Sequence, residues 1–155
     1  MERTLVLIKP DALARGLVGE ITTRLERKGL LLVGCKLMRL GDAVLDEHYA
    51  HLVDKPFYPR IAAFMSSLPI VAQCWEGVDA VRVVRDMTGV TNSRDAAPGT
   101  IRGDLGMSIQ CNVVHTSESV DVAASEVDRF FAAAELFSYE TPSLSVIYAA
   151  DERSP

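Results

Sequence analysis

The sequence predicts an α+β sandwich in a single domain: four strands in an antiparallel sheet, helices packed on one face, an inserted helical hairpin and one long loop. Three observations predict it. A chain of 155 residues is one domain's length and long enough to bury a sizeable core. A composition 48 % hydrophobic and 24 % charged is that of an ordinary globular protein and gives no sign of disorder. Short apolar runs also alternate with helical stripes, and one stretch late in the chain breaks both patterns.

Thr4 to Ile8 (TLVLI) reads as a buried strand, stopped by Lys9-Pro10. Apolar residues at 17, 18, 21 and 25 make the stripe of a helix from Leu17 to Lys28, closed by Gly29. LLLVGCKLMRL, residues 30 to 40, is the second strand. Gly41-Asp42 opens a short helix, DAVLDEHYAHL, and Pro56-Phe57 begins another, with Phe57, Ile61, Phe64 and Met65 at i, i+4, i+7 and i+8. PIVAQCWEG, 69 to 77, is the third strand, and VDAVRVVRDMTG a helix closed by Gly89. Residues 90 to 111 are rich in Gly, Pro, Thr, Asn, Arg and Asp with little periodicity. A loop of that length inside a compact domain is usually functional. The last strand ends at VVH, and a helix follows from Val120 to Phe131, its expected apolar face made of Val120, Ala123, Ala124, Val127, Phe130 and Phe131. The order suits a ferredoxin-like sandwich. The tail from about residue 150 is polar and expected to fray.

Several function classes are disfavoured at once. A net charge of −5 speaks against a broad nucleic-acid surface, which needs a basic stripe, although cations converging locally could still hold a small anion. No apolar run approaches the ~18 residues of a membrane span, and the opening MERTLVLIKP is too short in apolar length for a signal peptide. The expectation is a cytoplasmic protein with no membrane or nucleic-acid partner. Cys35, Cys74 and Cys111 lie far apart, a reduced-compartment pattern, and each reads better as a small core residue than as a ligand. His48 and His51, three apart on a helix, lack a third ligand nearby, so a surface or capping role is preferred to a metal. The glycine-rich phosphate loops GxxxxGK[ST] and GxGxxG are both absent. If phosphate is handled, side chains must do it.

The candidates stand at the ends of elements. Lys9 terminates the first strand, Arg85 lies late in the third substantial helix, and Arg102 lies in the long loop with Thr91 and Thr100 beside them. Arginine offers a planar fork to phosphate oxygens, and lysine a compact charge. Each cation alone reads better as a solvated surface residue. What argues otherwise is that all of them flank one loop and one histidine. That histidine, in NVVHTSES (112–119), sits at a strand-to-helix turn, where a titratable ring can reach a cleft or merely cap a surface turn. Ser117 and Ser119 read as helix-starting residues. Glu126 falls at the edge of the last helix's apolar stripe. From there its carboxylate either reaches water or accepts a proton from one imidazole nitrogen, leaving the other nitrogen free as a nucleophile.

Four segments in order, ERTLVLIKPDALARGLVGEI, EHYAHLVDKPFYPRI, PGTIRGD and NVVHTSES, carry a resemblance over nearly the whole chain. The sequence resembles a nucleoside diphosphate kinase. The resemblance implies transfer of the γ-phosphate of a nucleoside triphosphate, chiefly ATP, to a nucleoside diphosphate through a phosphohistidine, in two ping-pong halves. By the same resemblance, His115 is the phosphate carrier, Glu126 orients its ring and Ser117 supports Glu126. Lys9, Tyr49, Arg85, Thr91 and Arg102 hold the phosphates, with Lys9 and Asn112 also reaching the sugar. Phe57 and Ile109 sandwich the base, and Ile61 lines the same slot. The implied Mg²⁺ is carried by the nucleotide phosphates rather than by protein ligands. The implied assembly is a homo-oligomer, a hexamer in preference to a tetramer, with the long loop at a subunit contact.

Thr116 stands where that family often has Gly, and Glu118 where it usually has Asp. A β-branched residue at 116 implies ordinary β or bridge dihedrals there, and Glu118 is expected to serve the orphan N–H groups of the helix that follows. Two other readings compete. A non-catalytic nucleotide-binding module on the same fold would form no acid-labile phosphoprotein from ATP. An RNA-binding sheet would need exposed aromatics, and the strands offer only Trp75.

Overall fold

The computed structural model describes residues 1–152. The chain runs β1 (Glu2–Ile8), α1 (Pro10–Ala14), α2 (Val18–Lys28), β2 (Leu31–Met38), α3 (Asp42–His48), α4 (Tyr58–Ser66), β3 (Ile70–Gly77), α5 (Ala80–Thr88), α6 (Ile101–Leu105), β4 (Val114–Thr116), α7 (Val120–Phe130) and α8 (Leu144–Ile147). The strands form one sheet in the order β2-β3-β1-β4, and every neighbouring pair is antiparallel. This is the expected ferredoxin-like arrangement, with α3 and α4 as the inserted hairpin.

Helices cover both faces of the sheet, where one covered face was expected. Leu5, Leu7 and Cys74 pack with Leu45 of α3, Met65 of α4 and Val127 of α7. Their sheet neighbours Val6, Ile8 and Trp75 pack with Ile21 and Leu25 of α2 and Val84 of α5 on the opposite side. The reason is legible in the central strands. From Thr4 to Ile8 no residue is solvent-exposed, so alternate side chains need apolar cover in both directions. Replacing Leu5 or Leu7, both fully buried, by Ala would cost about 2–5 kcal/mol.

Most element boundaries follow local chemistry. Gly29 closes α2 at φ 101°, a left-handed cap that only glycine adopts cheaply. Two short helices depart from the sequence reading. The Lys9-Pro10 stop is also a start, because proline is preorganised for the first helical position and loses no needed N–H there. The long loop contains α6, whose N-cap Thr100 accepts a hydrogen bond from the Gly103 N–H at 3.0 Å. That loop is tied down: Arg24 of α2 reaches Asp104 at 2.7 Å, and the other Asp104 oxygen accepts the Gly99 N–H at 2.8 Å.

The stripe of α7 is rotated from the expected one. Val120 and Ala124 are exposed, while Ala123, Glu126, Val127 and Phe130 are buried, so Glu126 faces the core rather than its edge. Cys74 is buried as expected, but Cys35 and Cys111 are exposed. The tail is pinned across the fold up to Tyr148: the Tyr139 hydroxyl donates to the Leu32 carbonyl and the Tyr148 hydroxyl accepts the Val78 N–H. Of the segment expected to fray, residues 153–155 lie outside those described; residues 149–152 form a turn in which the Ala149 N–H donates to the Glu152 side chain.

Candidate active site

A cleft of about 740 Å³ opens where β1 and β4 end beside α3, α5 and α7. That volume suits a small-molecule ligand. Its lining brings together Lys9, Tyr49, Arg85, Thr91, Arg102, Asn112, His115 and Glu126, eight residues scattered over 118 positions of sequence (9 to 126). Each arrives for a local reason. Lys9 is the first residue past β1, and its ammonium donates to the Asn112 Oδ1 at 2.6 Å. Asn112 is buried, and its amide nitrogen donates to the carbonyls of Thr91 and Ile109 at 2.9 and 3.0 Å. One side chain thus fastens the long loop to the end of β1.

Cationic groups dominate this wall. Burial and the neighbouring Arg102 charge pull the Lys9 pKa down to about 8. Burial, then Arg85, lowers that of Arg102 to about 10. Arg102 spends three N–H groups on backbone carbonyls: Gly89 at 2.9 Å, Val114 at 2.9 Å and Asn112 at 3.3 Å. It is therefore a brace between α5, the loop and β4 as well as a charge in the cleft. Arg85 and Thr91 are exposed to solvent from the same wall.

The backbone before the histidine is strained. Val113 sits at φ 64°, rare for a β-branched residue, in a tight turn where the Val114 N–H donates to the Asn112 carbonyl at 2.8 Å. The surroundings over-determine it: the Val113 N–H donates to Asp11 Oδ2 at 3.1 Å, and its carbonyl accepts the Lys9 N–H at 2.9 Å. Asp11 was not singled out from sequence, where it merely follows the Lys9-Pro10 stop. Thr116 itself lies in β4 paired with Val6 and has no positive φ, as its side chain requires.

His115, opposite Leu7 in the sheet, keeps 24 % of its side chain exposed to the cleft. Its Nε2 lies 2.8 Å from Glu126 Oε1, and the Ser117 hydroxyl donates to Glu126 Oε2 at 2.6 Å. Ser117 also accepts the Leu5 N–H at 3.2 Å, which anchors the chain of hydrogen bonds to β1. Ser117 is thus a strut under the carboxylate, not a helix cap; Ser119 caps α7 by accepting the Val122 N–H. Burial pushes the Glu126 carboxyl up, but His115, Ser117 and His48 together outweigh it and hold it below its ordinary value. With Nε2 committed to a carboxylate, the lone pair left for chemistry is that of Nδ1.

His48, expected at the surface, is buried with its Nδ1 3.6 Å from Glu126 Oε1 and its ring edge-on to that of His115, centroids 4.5 Å apart. His51 is exposed, so the two do not converge. The available signal was Leu45, His48 and Leu52 at helical spacing, which puts His48 on the core side. His48, His115 and Glu126 bring ligand atoms within 4.8 Å of one another. The carboxylate's oxygens are already engaged by His115 and Ser117, while neither His48 nitrogen makes a hydrogen bond. Phe57, Ile61 and Ile109 are not on the cleft's wall. Phe57 and Ile109 are 40 % and 60 % exposed, and the Gln110 amide, reaching the Arg60 carbonyl at 3.3 Å, lays the loop bearing Ile109 along α4. Glu118 lines the cleft but caps no helix N–H.

The family model for nucleoside diphosphate kinase matches residues 2–136. The chain belongs to the nucleoside diphosphate kinase family. Over 98 % of its length it is 55 % identical to a nucleoside diphosphate kinase of Parabacteroides distasonis, covering 99 % of that protein. It is 47 % identical to the Saccharomyces cerevisiae enzyme, with 95 % and 96 % of the two chains covered. A solved structure of the Halobacterium salinarum nucleoside diphosphate kinase in complex with CDP superposes with a TM-score of 0.93 at 45 % identity, covering 95 % of this chain and 98 % of that one. The reaction of a nucleoside diphosphate kinase moves the γ-phosphate of a nucleoside triphosphate to a nucleoside diphosphate, and this chain is such an enzyme. No helix among the described residues is long and apolar enough to cross a membrane.

Proposed function

We propose that His115 is the phosphate carrier and that the hydrogen-bonded set Ser117–Glu126–His115 is what makes it one. The observation that carries this reading is the 2.8 Å contact between His115 Nε2 and a buried, ionised Glu126. It puts the ring's proton on Nε2 and leaves the Nδ1 lone pair facing the cleft. Nδ1 forms a bond to the γ-phosphorus as the bond to the β–γ bridging oxygen breaks, and the diphosphate departs. A terminal oxygen of a second nucleoside diphosphate then takes the phosphoryl group from Nδ1, so one site serves both halves. Phosphoryl transfer asks the protein for positioning and charge, which Lys9, Arg85, Arg102, Thr91 and Tyr49 supply to the phosphates. Asn112 and Lys9 meet the sugar, and Phe57, Ile61 and Ile109 take the base on apolar faces.

Mg²⁺ enters on the nucleotide. It demands oxygen ligands, and the cleft offers cations on one wall and an imidazole-rich cluster on the other. Glu118 and Asp121, two of the four carboxylates lining the cleft with Glu47 and Glu126, are the candidates to meet its water shell. The ion, when bound, neutralises charge on the phosphates. We infer further a cytoplasmic homo-oligomer, hexamer before tetramer, acting on nucleotides and not on nucleic acid or membranes. The apolar Val90 and Met107 exposed on the long loop support such a contact.

The test is labelling. Incubation with ATP labelled at the γ-phosphate should leave acid-labile label on the wild-type protein, discharged by any added nucleoside diphosphate. His115→Ala should take none and lose several powers of ten in exchange activity. Label at another residue of His115→Ala would sink the assignment.

A further inference from the structure

His48 presents a problem that the reaction above does not resolve. It is 7 % exposed, and both its ring nitrogens are buried without a hydrogen-bond partner. A buried polar group left without a partner is destabilising, because it has given up water and gained nothing in return. A phenylalanine would fill the slot between Tyr49, His115 and Phe130 without that cost, since His48 meets all three edge-on at 4.7, 4.5 and 5.2 Å. The carboxylate oxygen facing its Nδ1, at 3.6 Å, is the Glu126 Oε1 that already holds His115.

The tautomer follows from elimination. With its proton on Nε2, His48 would bury a lone N–H among aromatic rings and turn the Nδ1 lone pair against a carboxylate. With its proton on Nδ1, the donor faces Oε1 across 3.6 Å, and a shift of a few tenths of an ångström closes a hydrogen bond. The bare Nε2 then lies against apolar rings, the less costly of the two orphans. Oε1 has lone pairs enough for both imidazoles.

We propose that His48 is a positioning residue for phosphoryl transfer: a neutral imidazole that offers Nδ1–H to Glu126 and holds the carboxylate in register with the His115 ring. The groups facing it favour the neutral form. Burial, then the charges of His115, Arg129 and His51, lower its pKa to about 3, with Glu126 only partly opposing them. A neutral donor steadies the carboxylate without competing for its charge, so the full charge remains available to His115 as that ring becomes cationic on phosphorylation. The inference rests on His115 being the nucleophile.

The test combines three variants with a spectroscopic reading of the unaltered protein. His48→Phe keeps the ring and removes the donor. His48→Asn keeps an N–H at the same bond count from the backbone as Nδ1, and His48→Gln moves it one atom farther. For phosphoenzyme formation, His48→Phe and His48→Gln should lose about tenfold in kcat with KM unchanged. Their acid limb should move to higher pH by roughly half a unit or more, because a less satisfied carboxylate binds the His115 proton more tightly. His48→Asn should recover most of both effects. Nitrogen-15 NMR of the wild-type protein should find His48 neutral with the proton on Nδ1. That measurement needs no variant to fold. A proton on Nε2, a charged ring at neutral pH, or a wild-type pH profile in His48→Phe each overturns the proposal and leaves His48 as packing. Equal losses in all three variants with an unmoved acid limb do the same. Failure of the underlying reading looks different: His115→Ala would still take label.

Discussion

Two parts of the molecule are built in opposite ways: the His115–Glu126 end of the cleft, and the apolar pair Phe57 and Ile109 outside its wall. At the first, Glu126 is 5 % exposed, is hydrogen-bonded through both oxygens and is backed by a buried His48. At the second, Phe57 and Ile109 stand 40 % and 60 % exposed, and the neighbouring Gln110 amide is spent on the Arg60 carbonyl. On the roles proposed above, the difference tracks what each end must tolerate. The chemistry is the same for every nucleotide, so its groups can be locked in advance, where a displacement of an ångström costs about a hundredfold. The base varies, and an open apolar face accepts any of them.

The sharpest way to break this contrast is Glu126→Gln. It keeps size and Oε1 but discards the charge that orients His115 and balances its cationic form, and phosphoenzyme formation should fall by about a hundredfold or more. A Glu126→Gln enzyme within tenfold of wild type would mean that the buried end is scaffolding.

Acid stability should expose the same asymmetry, since only the buried end contains a strongly perturbed imidazole. The folded His48 resists protonation down to about pH 3, whereas the unfolded chain accepts a proton near 6.5. Its contribution is therefore complete above about pH 6.5 and is lost as pH falls toward 3, at up to about 1.4 kcal/mol per pH unit. Denaturant midpoints measured from pH 6.5 to 5 should slope downward in the wild type and less so in His48→Phe. Identical slopes would remove His48 from the acid response.

At the open end effects should be smaller and indifferent to base. Phe57→Ala should weaken nucleotide binding by about 1–3 kcal/mol, alike for purine and pyrimidine and for ribo- and deoxyribonucleotides. Wild-type efficiencies across the same set should stay within about two powers of ten. A single base preferred ten-thousandfold would reveal a polar readout at that end.

The smallest effects belong to the turn joining the two parts of the relay. Ser119 caps α7 and Glu118 does not, so Ser119→Ala should lower stability by about 1 kcal/mol, and Glu118→Ala by less than about 0.5 kcal/mol. Denaturant midpoints of the two variants decide it; the reverse order would return the capping role to Glu118.

The sheet, its order of elements and the principal helices were legible because their signals are local: apolar runs, a 3.6-residue stripe, Gly29 and Gly89 at helix ends. The short helices α1 and α6 escaped because a proline and a glycine-rich stretch read as breaks when taken without their neighbours. His115 and the residues expected to hold phosphate were recognisable as a set, through motifs in order, and the fold gathers them in one cleft. Three features were decided only by tertiary structure. Glu126 faces inward because Ser117 and His115 compensate its burial from β4 and the turn after it. His48 joins them because α3 packs on α7, bringing residue 48 against residue 126. Val113 is held at a positive φ because Asp11 and Lys9, a hundred residues away in sequence, grip its peptide groups. A sequence fixes which side chains can lie on one face of a helix or strand. Which charge meets which, and so which protonation states survive burial, depends on elements far apart in the chain arriving at the same few cubic ångströms.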